Sequence, residues 1–438
     1  MADHADTLRL HLAKGPLTAK KIADYMEVSQ PTVSRTIAVL GDEVLRFGAG
    51  PSIQYTLRDT TRGFGAIPVH RVAADGTLHR LGVLVPVRPE GFVMREEEGG
   101  ARHSHGLPWW LMDMCPQGFL GRAYAERHAA TLGLPPRLSE WSDAHMLRAL
   151  IAHGHDVVGN LLLGDLARQR FLEAPPPASV DPADYPRYAE IAERGDLPGS
   201  SAGGEQPKFA AFAERHVLVK FTAANDNPIS CRWRDLLAVE HLAAQVLRAA
   251  GVPAVDSRLL DIGGRRFLEV DRFDRVRAFG RRAVYSLAAL EAEFVGDARA
   301  PWPVLTRKLA SQGVITAQAS ERSALLYAFG TLIGNTDMHN GNLSFVADGG
   351  RPYDLAPAYD MLAMGFAPRA SGALPDRLPP LRLHPEVSAQ AWRCALELAD
   401  LLLNAMRAEA RLSADWQACL AAMTRHLDDA RAMIGRLG

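Results

Sequence analysis

The sequence is poor in the features that mark several common classes of protein. Its 438 residues include only four cysteines, and no two of them have the C-x-x-C spacing of zinc ribbons and thioredoxin-type redox sites. No segment holds the roughly 18 uncharged apolar residues that a membrane-spanning helix needs, and the N-terminus has no apolar signal region. We therefore expect no disulfide scaffold and no membrane partner, and the expected compartment is the cytoplasm.

An excess of charge of either sign is also absent. The chain has 49 Lys and Arg against 50 Asp and Glu, so its formal net charge is −1. Such a chain produces no strong overall field toward nucleic acid or anionic membranes, and any such contact must come from a local patch. Apolar residues make up 47% of the chain, which is ordinary globular usage and predicts a folded protein of several domains.

Residues 1–60 form a separate unit in the sequence pattern. Val33, Ile37 and Leu40 follow one another at the spacing of one helix face, after a shorter helical segment and a break near Ser29. The segments EVLRF and IQYTL then flank a loop rich in Gly and Pro, as two paired strands do. This order of helices followed by a hairpin predicts a winged helix-turn-helix domain.

A helix that enters the major groove of DNA needs polar side chains opposite its core face. Arginine can reach guanine or a phosphate, and glutamine can reach adenine. The electrostatic support is weak, because residues 1–60 carry seven basic and seven acidic side chains. A winged helix that binds protein or dimerises is therefore the alternative. The predicted DNA-binding residues are Gln30, Thr32, Ser34 and Arg35.

The rest of the chain changes character along its length. Residues 61–172 alternate like a meander of strands and then turn helical, and residues 174–198 are rich in proline and predict a connector that packs on a surface. A Gly-rich segment and further strands lead to about residue 275. From residue 276 to 438 the pattern is mainly helical, with amphipathic segments near the C-terminus.

The densest polar motif is the segment GNTDMHNGN, which begins at Gly334. It separates Asp337 and Asn342 by five residues, the spacing of a kinase catalytic loop, in which the Asp aligns the substrate hydroxyl and the Asn holds Mg²⁺. His339 is expected to support this loop more than to transfer protons. Asp360, eighteen residues beyond Asn342, is the expected carboxylate ligand of Mg²⁺, with Asp354 as the alternative.

Residues upstream of this motif have the pattern of a phosphate-binding half-site. Backbone N–H groups of the loop at residues 201–208 can cradle phosphate oxygens. Lys220 lies in an apolar strand, where its burial is costly unless it meets charge, and ATP or the nearby Glu240 would supply that charge. Backbone groups of Val270–Phe273 would meet adenine. The predicted ATP-binding residues are Gly203, Gly204, Gln206, Lys208, Lys220, Asp271 and Phe273.

Each of these parts also has an ordinary explanation. The Gly-Gly loop can be a turn, Lys220 a solvated edge residue, and Glu240 a helix-surface carboxylate. Their order along the chain is the stronger argument. The chain contains, in the order that a bilobal kinase requires, a glycine loop, a strand Lys, a helix Glu, a hinge at Val270–Phe273, the Asp-x4-Asn motif and a further Asp.

Several segments resemble one protein family. They read SAGGEQPK, VLVKF, VDRFDR, GNTDMHNGN and LAPAYDML, and they are similar to the HipA-like serine/threonine kinases, toxins of bacterial type II toxin–antitoxin modules. The resemblance implies an α+β bilobal kinase-like fold with a mixed small lobe and a helical large lobe, here preceded by a fused winged helix. Residues 61–275 would hold the HipA-like N-terminal subdomain and the small lobe, and residues 276–438 the large lobe.

The resemblance also implies residue roles and partners. Asp337 would be the catalytic base, Asn342 and Asp360 the Mg²⁺ ligands, and Lys220 a contact to the ATP phosphates. It further implies a protein substrate, possible targets in the translation machinery, an antitoxin and a homodimer. DNA would be bound through the N-terminal domain.

One serine of the glycine loop carries a further implication. Ser201 matches the position that the family autophosphorylates, with the adjacent Ser200 as an alternative, and phosphorylation there would eject the loop and silence the kinase. The sequence departs from the family at Asp271, where a Glu is usual, and in the fused N-terminal domain. A DNA-binding transcriptional regulator with a kinase-like nucleotide-sensing domain is therefore the alternative function.

Overall fold

The structure is a computed structural model that describes residues 2–194 and 204–437. The predictions for Ser200, Ser201 and Gly203 fall outside these ranges and stay predictions.

The N-terminal part is a small helical unit with a strand hairpin. Its strands lie in the order β1-β3-β2, and β2 and β3 form the antiparallel hairpin that the sequence predicts as a wing. Val33 and Leu40 are buried as expected, whereas Ile37 is half-buried and Thr36 takes the inner position, its hydroxyl bonded to the Thr32 carbonyl at 3.0 Å. The elements are α1 (Ala2–Leu12), β1 (Leu17–Thr18), α2 (Ala19–Met26), α3 (Gln30–Leu40), β2 (Val44–Phe47) and β3 (Gln54–Leu57).

The next part is an antiparallel sheet with helices, in the strand order β7-β6-β5-β4-β8. The predicted meander and the helical part predicted to follow it are both present. Its elements are β4 (Ile67–Val72), β5 (Leu78–Pro86), β6 (Phe92–Glu96), β7 (Ala101–Ser104), α4 (Gly118–Leu132), α5 (Asp143–His153), β8 (Leu161–Leu163) and α6 (Gly164–Glu173).

The wing and this sheet share a core. Leu45 of the wing is 5% exposed and packs with Val87 and Val93 of the sheet. Phe47 stacks on His103 with 4.9 Å between the ring centroids. Because apolar side chains from both units are buried together, the N-terminal unit is attached through packing as well as through the chain.

A second sheet and a long helix form the small lobe, with the strand order β11-β12-β10-β9. Residues 174–198 contain a helix in addition to the predicted connector, and its Tyr185 and Ala189 are fully buried against this sheet. This helix was not predicted, because the prolines near its start are typical of a connector. The elements are α7 (Tyr185–Glu193), β9 (Lys208–Phe212), β10 (His216–Phe221), α8 (Pro228–Ala249), β11 (Ser257–Ile262) and β12 (Arg265–Asp271), followed by the short strands β13 (Arg275–Val276) and β14 (Gly280–Arg281).

The large lobe is mainly helical, as predicted, and it adds a small sheet in the order β15-β16-β17. Its core buries Phe329, Trp392 and Trp416 almost completely. No helix within residues 2–194 and 204–437 is long and apolar enough to cross a bilayer. The elements are β15 (Val284–Ser286), α9 (Leu287–Phe294), α10 (Trp302–Ser311), α11 (Ala317–Leu332), β16 (Ser344–Val346), β17 (Asp354–Leu355), α12 (Ala389–Ala408) and α13 (Trp416–Ile434).

The shared core makes a stability prediction. We expect Leu45→Ala to lower the free energy of unfolding by about 2–4 kcal/mol, because it leaves a cavity between the wing and the sheet. Urea unfolding followed by circular dichroism measures the change. Val39→Ala is the control, since Val39 is 64% exposed and its truncation should change stability by less than about 0.5 kcal/mol. Equal effects of the two substitutions would contradict the shared core.

Candidate active site

The Asp-x4-Asn motif follows the end of α11. Gly334 turns the chain at a φ of 73°, and the buried Asn335 then fixes the loop from within. Its Oδ1 accepts a hydrogen bond from the backbone N–H of Asp337 at 3.1 Å, and its Nδ2 donates to the carbonyl of Asp360 at 3.1 Å. One amide therefore holds the loop against the segment that carries Asp360.

Contacts within the loop set the relation between its two predicted functional residues. Nδ2 of the buried Asn342 donates to the carbonyl of Asp337 at 2.8 Å. Nδ1 of His339 accepts from the backbone N–H of Gly341 at 3.0 Å, so that side chain caps the short turn that contains Asn342. His339 thus has a contact of the supporting kind that was expected for it.

A buried ion cluster joins the two lobes. Lys220, on β10, is 5% exposed, and its Nζ donates to Glu240 Oε1 on α8 at 2.6 Å and to Asp360 Oδ1. Burial lowers the pKa of Lys220, but Asp360 and Glu240 raise it more, so its net direction is upward. Burial raises the pKa of Asp360, but Lys220 and Lys208 lower it below its usual value. The cluster therefore consists of charged groups that compensate one another.

Lys208 adds a second buried cation beside this cluster. It is 2% exposed, and burial lowers its pKa to about 8 although Asp360 is near. Gly204 has a φ of +90°, and a Cβ built on it would lie 2.8 Å from Lys208 Nζ. The described end of the glycine loop therefore lies directly over this lysine, at a position where a larger residue would collide with it.

A cavity of about 250 Å³ lies between the lobes. It brings together residues that the sequence placed in one site although they are more than 150 positions apart. Gln206 and Asp337 are absent from the cavity wall. Asp337 is exposed, and the partial loss of hydration of its carboxylate, followed by nearby Asp360, raises its pKa. The predicted residues on the wall are Gly204, Lys208, Lys220, Asp271, Phe273, His339, Asn342 and Asp360.

The two rival carboxylates have different surroundings. Asp360 has a φ of 55°, in the left-handed region, and its side chain reaches Lys220 at the cavity wall. Asp354 is exposed on β17, where it accepts a hydrogen bond from Thr316 Oγ1 at 3.1 Å, and it does not line the cavity. The structure therefore brings Asp360, and not Asp354, to the predicted site.

Comparisons with known proteins agree with this geometry. A family model described as the HipA-like C-terminal domain matches residues 200–430, and one described as the YjjJ-like toxin middle domain matches residues 64–172. The Toxin YjjJ of Escherichia coli strain K12 is 36% identical over 439 residues, which cover 98% of both chains. The chain belongs to the HipA-like toxins.

A solved structure shows the same fold. It is a chain of the Shewanella oneidensis MR-1 complex of HipA, HipB and operator DNA, with a TM-score of 0.55 and 15% sequence identity. The match covers 84% of the present chain and 97% of that chain. The predicted bilobal HipA-like fold is therefore confirmed.

This HipA-like protein has cavity residues that the sequence did not reveal. Met112, Asp113 and Gln117 reach the wall from the middle part of the chain, and Asp113 Oδ2 accepts from the backbone N–H of Ser286 at 2.6 Å. No motif marks these residues, so sequence reasoning had no signal for them. Tyr359 also lines the cavity, and its position next to Asp360 in LAPAYDML was a usable signal.

In the predicted hinge, Val270–Phe273, the acidic side chain is engaged by the protein itself. Asp271 is on the cavity wall, but its carboxylate pairs with Arg215 Nε and its backbone N–H donates to the carbonyl of Asp256 at 2.9 Å. The fully buried Glu269, two residues earlier, accepts from Tyr185 at 2.8 Å. The acidic side chains of this strand therefore support the sheet.

The donor set suits magnesium. Mg²⁺ prefers oxygen ligands and usually takes one or two from the protein and the rest from water and substrate phosphates. Asn342 and Asp360 offer an amide oxygen and a carboxylate at one cavity wall. In the described part of the chain no group of three or more His, Cys, Asp or Glu residues forms a metal cluster. The residues present therefore fit a two-ligand Mg²⁺ site.

The hydroxyl of Tyr359 gives a testable prediction. It donates to the carbonyl of Gly341 at 2.8 Å and lies 2.7 Å from Ser344 Oγ. Tyr359→Phe should lower the free energy of unfolding by about 1 kcal/mol and speed amide exchange around Gly341, because that carbonyl loses its partner. Tyr25→Phe is the control, since Tyr25 is 57% exposed. An exchange rate unchanged from wild type would refute this support of the loop.

Proposed function

We propose that this HipA-like protein is an ATP- and Mg²⁺-dependent serine/threonine protein kinase that phosphorylates a cellular protein and itself. One observation carries the proposal: Lys220, Asn342 and Asp360, which are distant along the chain, meet at one interlobe cavity next to the Asp337 loop. The family membership and the fold support it. A cytoplasmic location is part of the proposal.

The residues of the site would have separate roles in phosphoryl transfer. Lys208 and Lys220 supply positive charge to the phosphates, and the backbone at Gly203 and Gly204 contacts them. Asn342 and Asp360 would hold Mg²⁺, which offsets the charge of the transferring phosphoryl group. Asp337 accepts or orients the proton of the substrate hydroxyl, whose oxygen forms the new P–O bond while the bond to ADP breaks.

The self-phosphorylation part rests on the resemblance in the glycine loop. Ser201 is the proposed acceptor, and Ser200 is the alternative. Transfer to either serine would add a doubly charged group to the glycine-loop sequence, and the resemblance implies that this ejects the loop and silences the kinase. Mass spectrometry of the protein identifies which serine is modified.

The N-terminal unit is the proposed DNA contact. Gln30, Ser34 and Arg35 are exposed on α3, whereas Thr32 is half-buried and its Oγ1 accepts from Arg35 Nη2 at 3.3 Å. The similar Shewanella oneidensis structure is a complex of HipA with HipB and operator DNA. We propose that the present protein binds DNA with its own domain, alongside an antitoxin and a second copy.

The kinase proposal is tested at Asp337. We expect Asp337→Asn to reduce γ-phosphate transfer from ATP at least about 100-fold, because the substrate hydroxyl loses the group that aligns it and accepts its proton. Purified protein and radiolabelled ATP measure the transfer. Asp354→Asn is the matched control, as it makes the same change on an exposed carboxylate outside the cavity, and it should transfer like wild type.

The result also separates the two functions considered. If wild type and Asp337→Asn transfer phosphate equally, the kinase assignment is wrong. A protein that binds ATP and DNA but transfers no phosphate would instead be a regulator with a nucleotide-sensing domain.

The DNA proposal is tested at Arg35. Arg35→Ala should weaken binding to the operator selected by the protein by about 1–3 kcal/mol and reduce its salt dependence, since one cationic contact is lost. Fluorescence anisotropy at two salt concentrations measures both quantities. Arg80→Ala removes the same charge from an exposed ion pair with Glu97 on the middle sheet and should leave binding unchanged. Equal loss in the two variants would show that only overall charge matters.

A further inference from the structure

The middle part of the chain, residues 64–172, touches all the parts that surround the cavity. Asp113 bonds to Ser286 of the large lobe, and Asp156 pairs with Arg275 just beyond the hinge at 2.8 Å. The start of α4 reaches the glycine loop, as its Phe119 N–H donates to the carbonyl of Gly204 at 3.0 Å. The loop is thus held by a part of the protein outside the two kinase lobes.

The backbones of α4 and the glycine loop approach each other closely. Gly118 has a φ of +60°, and a Cβ built on it would lie 2.5 Å from the oxygen and 2.8 Å from the nitrogen of Gly204. Both contacts are to backbone atoms, which cannot rotate away as a side chain can. Only glycine at position 118 therefore permits the observed position of the loop.

A side-chain pair fixes the next residue of the loop. Arg122 Nη1 donates to Glu205 Oε1 at 3.0 Å, and Arg122 Nη2 lies 2.5 Å from Glu205 Oε2, which makes the pair bidentate. The two side chains are 52% and 77% exposed, so the pair contributes little to overall stability. Its consequence is geometric, because it fixes the loop relative to α4.

The contacts continue from the loop to the lysines. Gly204 is close both to Gly118 and to Lys208 Nζ. A shift of Gly204 relative to α4 would therefore change its distance from the buried ammonium group of Lys208. Lys208 itself lines the cavity beside Lys220.

We infer that the start of α4 is a positioning element of the nucleotide site. Gly118, the Phe119 N–H group and Arg122 hold the glycine loop where it can contact the phosphates of a nucleoside triphosphate. The inference rests on the proposed nucleotide binding and adds the middle part of the chain to the residues that determine nucleotide affinity. None of the three lines the cavity; they act through Gly204 and Glu205.

Two glycines at opposite ends of α4 provide a matched test. Gly133, which follows the last residue of α4, has a φ of +62°, and a Cβ there meets nothing closer than 3.9 Å. Gly118→Ala and Gly133→Ala thus share the backbone strain, whereas only Gly118→Ala collides with the loop. We expect Gly118→Ala to raise the Kd for MgATP about tenfold in the full-length protein and Gly133→Ala to leave it near the wild-type value, as measured by calorimetry.

A charge exchange tests the ion pair separately. Arg122→Glu and Glu205→Arg should each weaken MgATP binding several-fold, because like charges then face each other across the contact. The double variant restores the opposite charges and should recover most of the affinity. Glu205→Arg alone separates this from an effect of overall charge, because it makes the protein more positive by two charges and would tighten MgATP binding if only overall charge mattered. Tighter binding by Glu205→Arg, or no recovery in the double variant, would overturn the role of the pair.

Hydrogen exchange tests the inference without relying on ATP binding. The amide of Phe119 and the segment from residue 204 to 212 should exchange faster in Gly118→Ala than in Gly133→Ala, without any nucleotide. Equal exchange and equal Kd in these two variants would overturn the inference. If wild type binds no MgATP, the proposed function fails, whereas the exchange result still decides whether α4 holds the loop.

Discussion

The buried charge of Lys220 is the constraint around which the cleft is built. An ammonium group at 5% exposure is costly in a protein interior unless carboxylates meet it, and here Glu240 and Asp360 do so from two different elements. Glu240 comes from α8 of the small lobe and Asp360 from the large lobe. One lysine therefore joins the lobes across the cavity, and the position of each element follows from the need to pair this charge.

The same cluster provides the charges that the proposed phosphate contacts would need. Asp360 adopts a φ of 55°, and Asn335 secures its carbonyl, so the carboxylate is directed to Lys220 by the backbone itself. Lys208 lies nearby with its pKa lowered to about 8 by burial. In the proposed function, an incoming polyanion would favour the charged form of Lys208.

Chain order and spacing made part of this site predictable. The Asp-x4-Asn spacing and a lysine in an apolar strand each need a specific partner, so Asn342 and Lys220 could be placed at one cavity, whereas Asp337 lies outside its wall. Asp360 and Asp354 could not be separated, because both follow the motif and only a contact across 140 residues distinguishes them. Helix α7 was missed because prolines at its start resemble a connector, and its burial depends on a sheet formed later in the chain.

The contacts between the middle part and the cavity could not be predicted from the sequence, for a different physical reason. Its contacts to the cleft use backbone groups and single side chains, such as the Phe119 N–H group and Asp113, and these leave no spacing pattern. Yet the wing packs on its sheet at Leu45, and its helix α4 touches Gly204. The N-terminal unit and the glycine loop are therefore both attached to the middle part of the chain. A displacement of that part toward the loop must move the loop as well, because the Gly118–Gly204 contact has no space in which to absorb it.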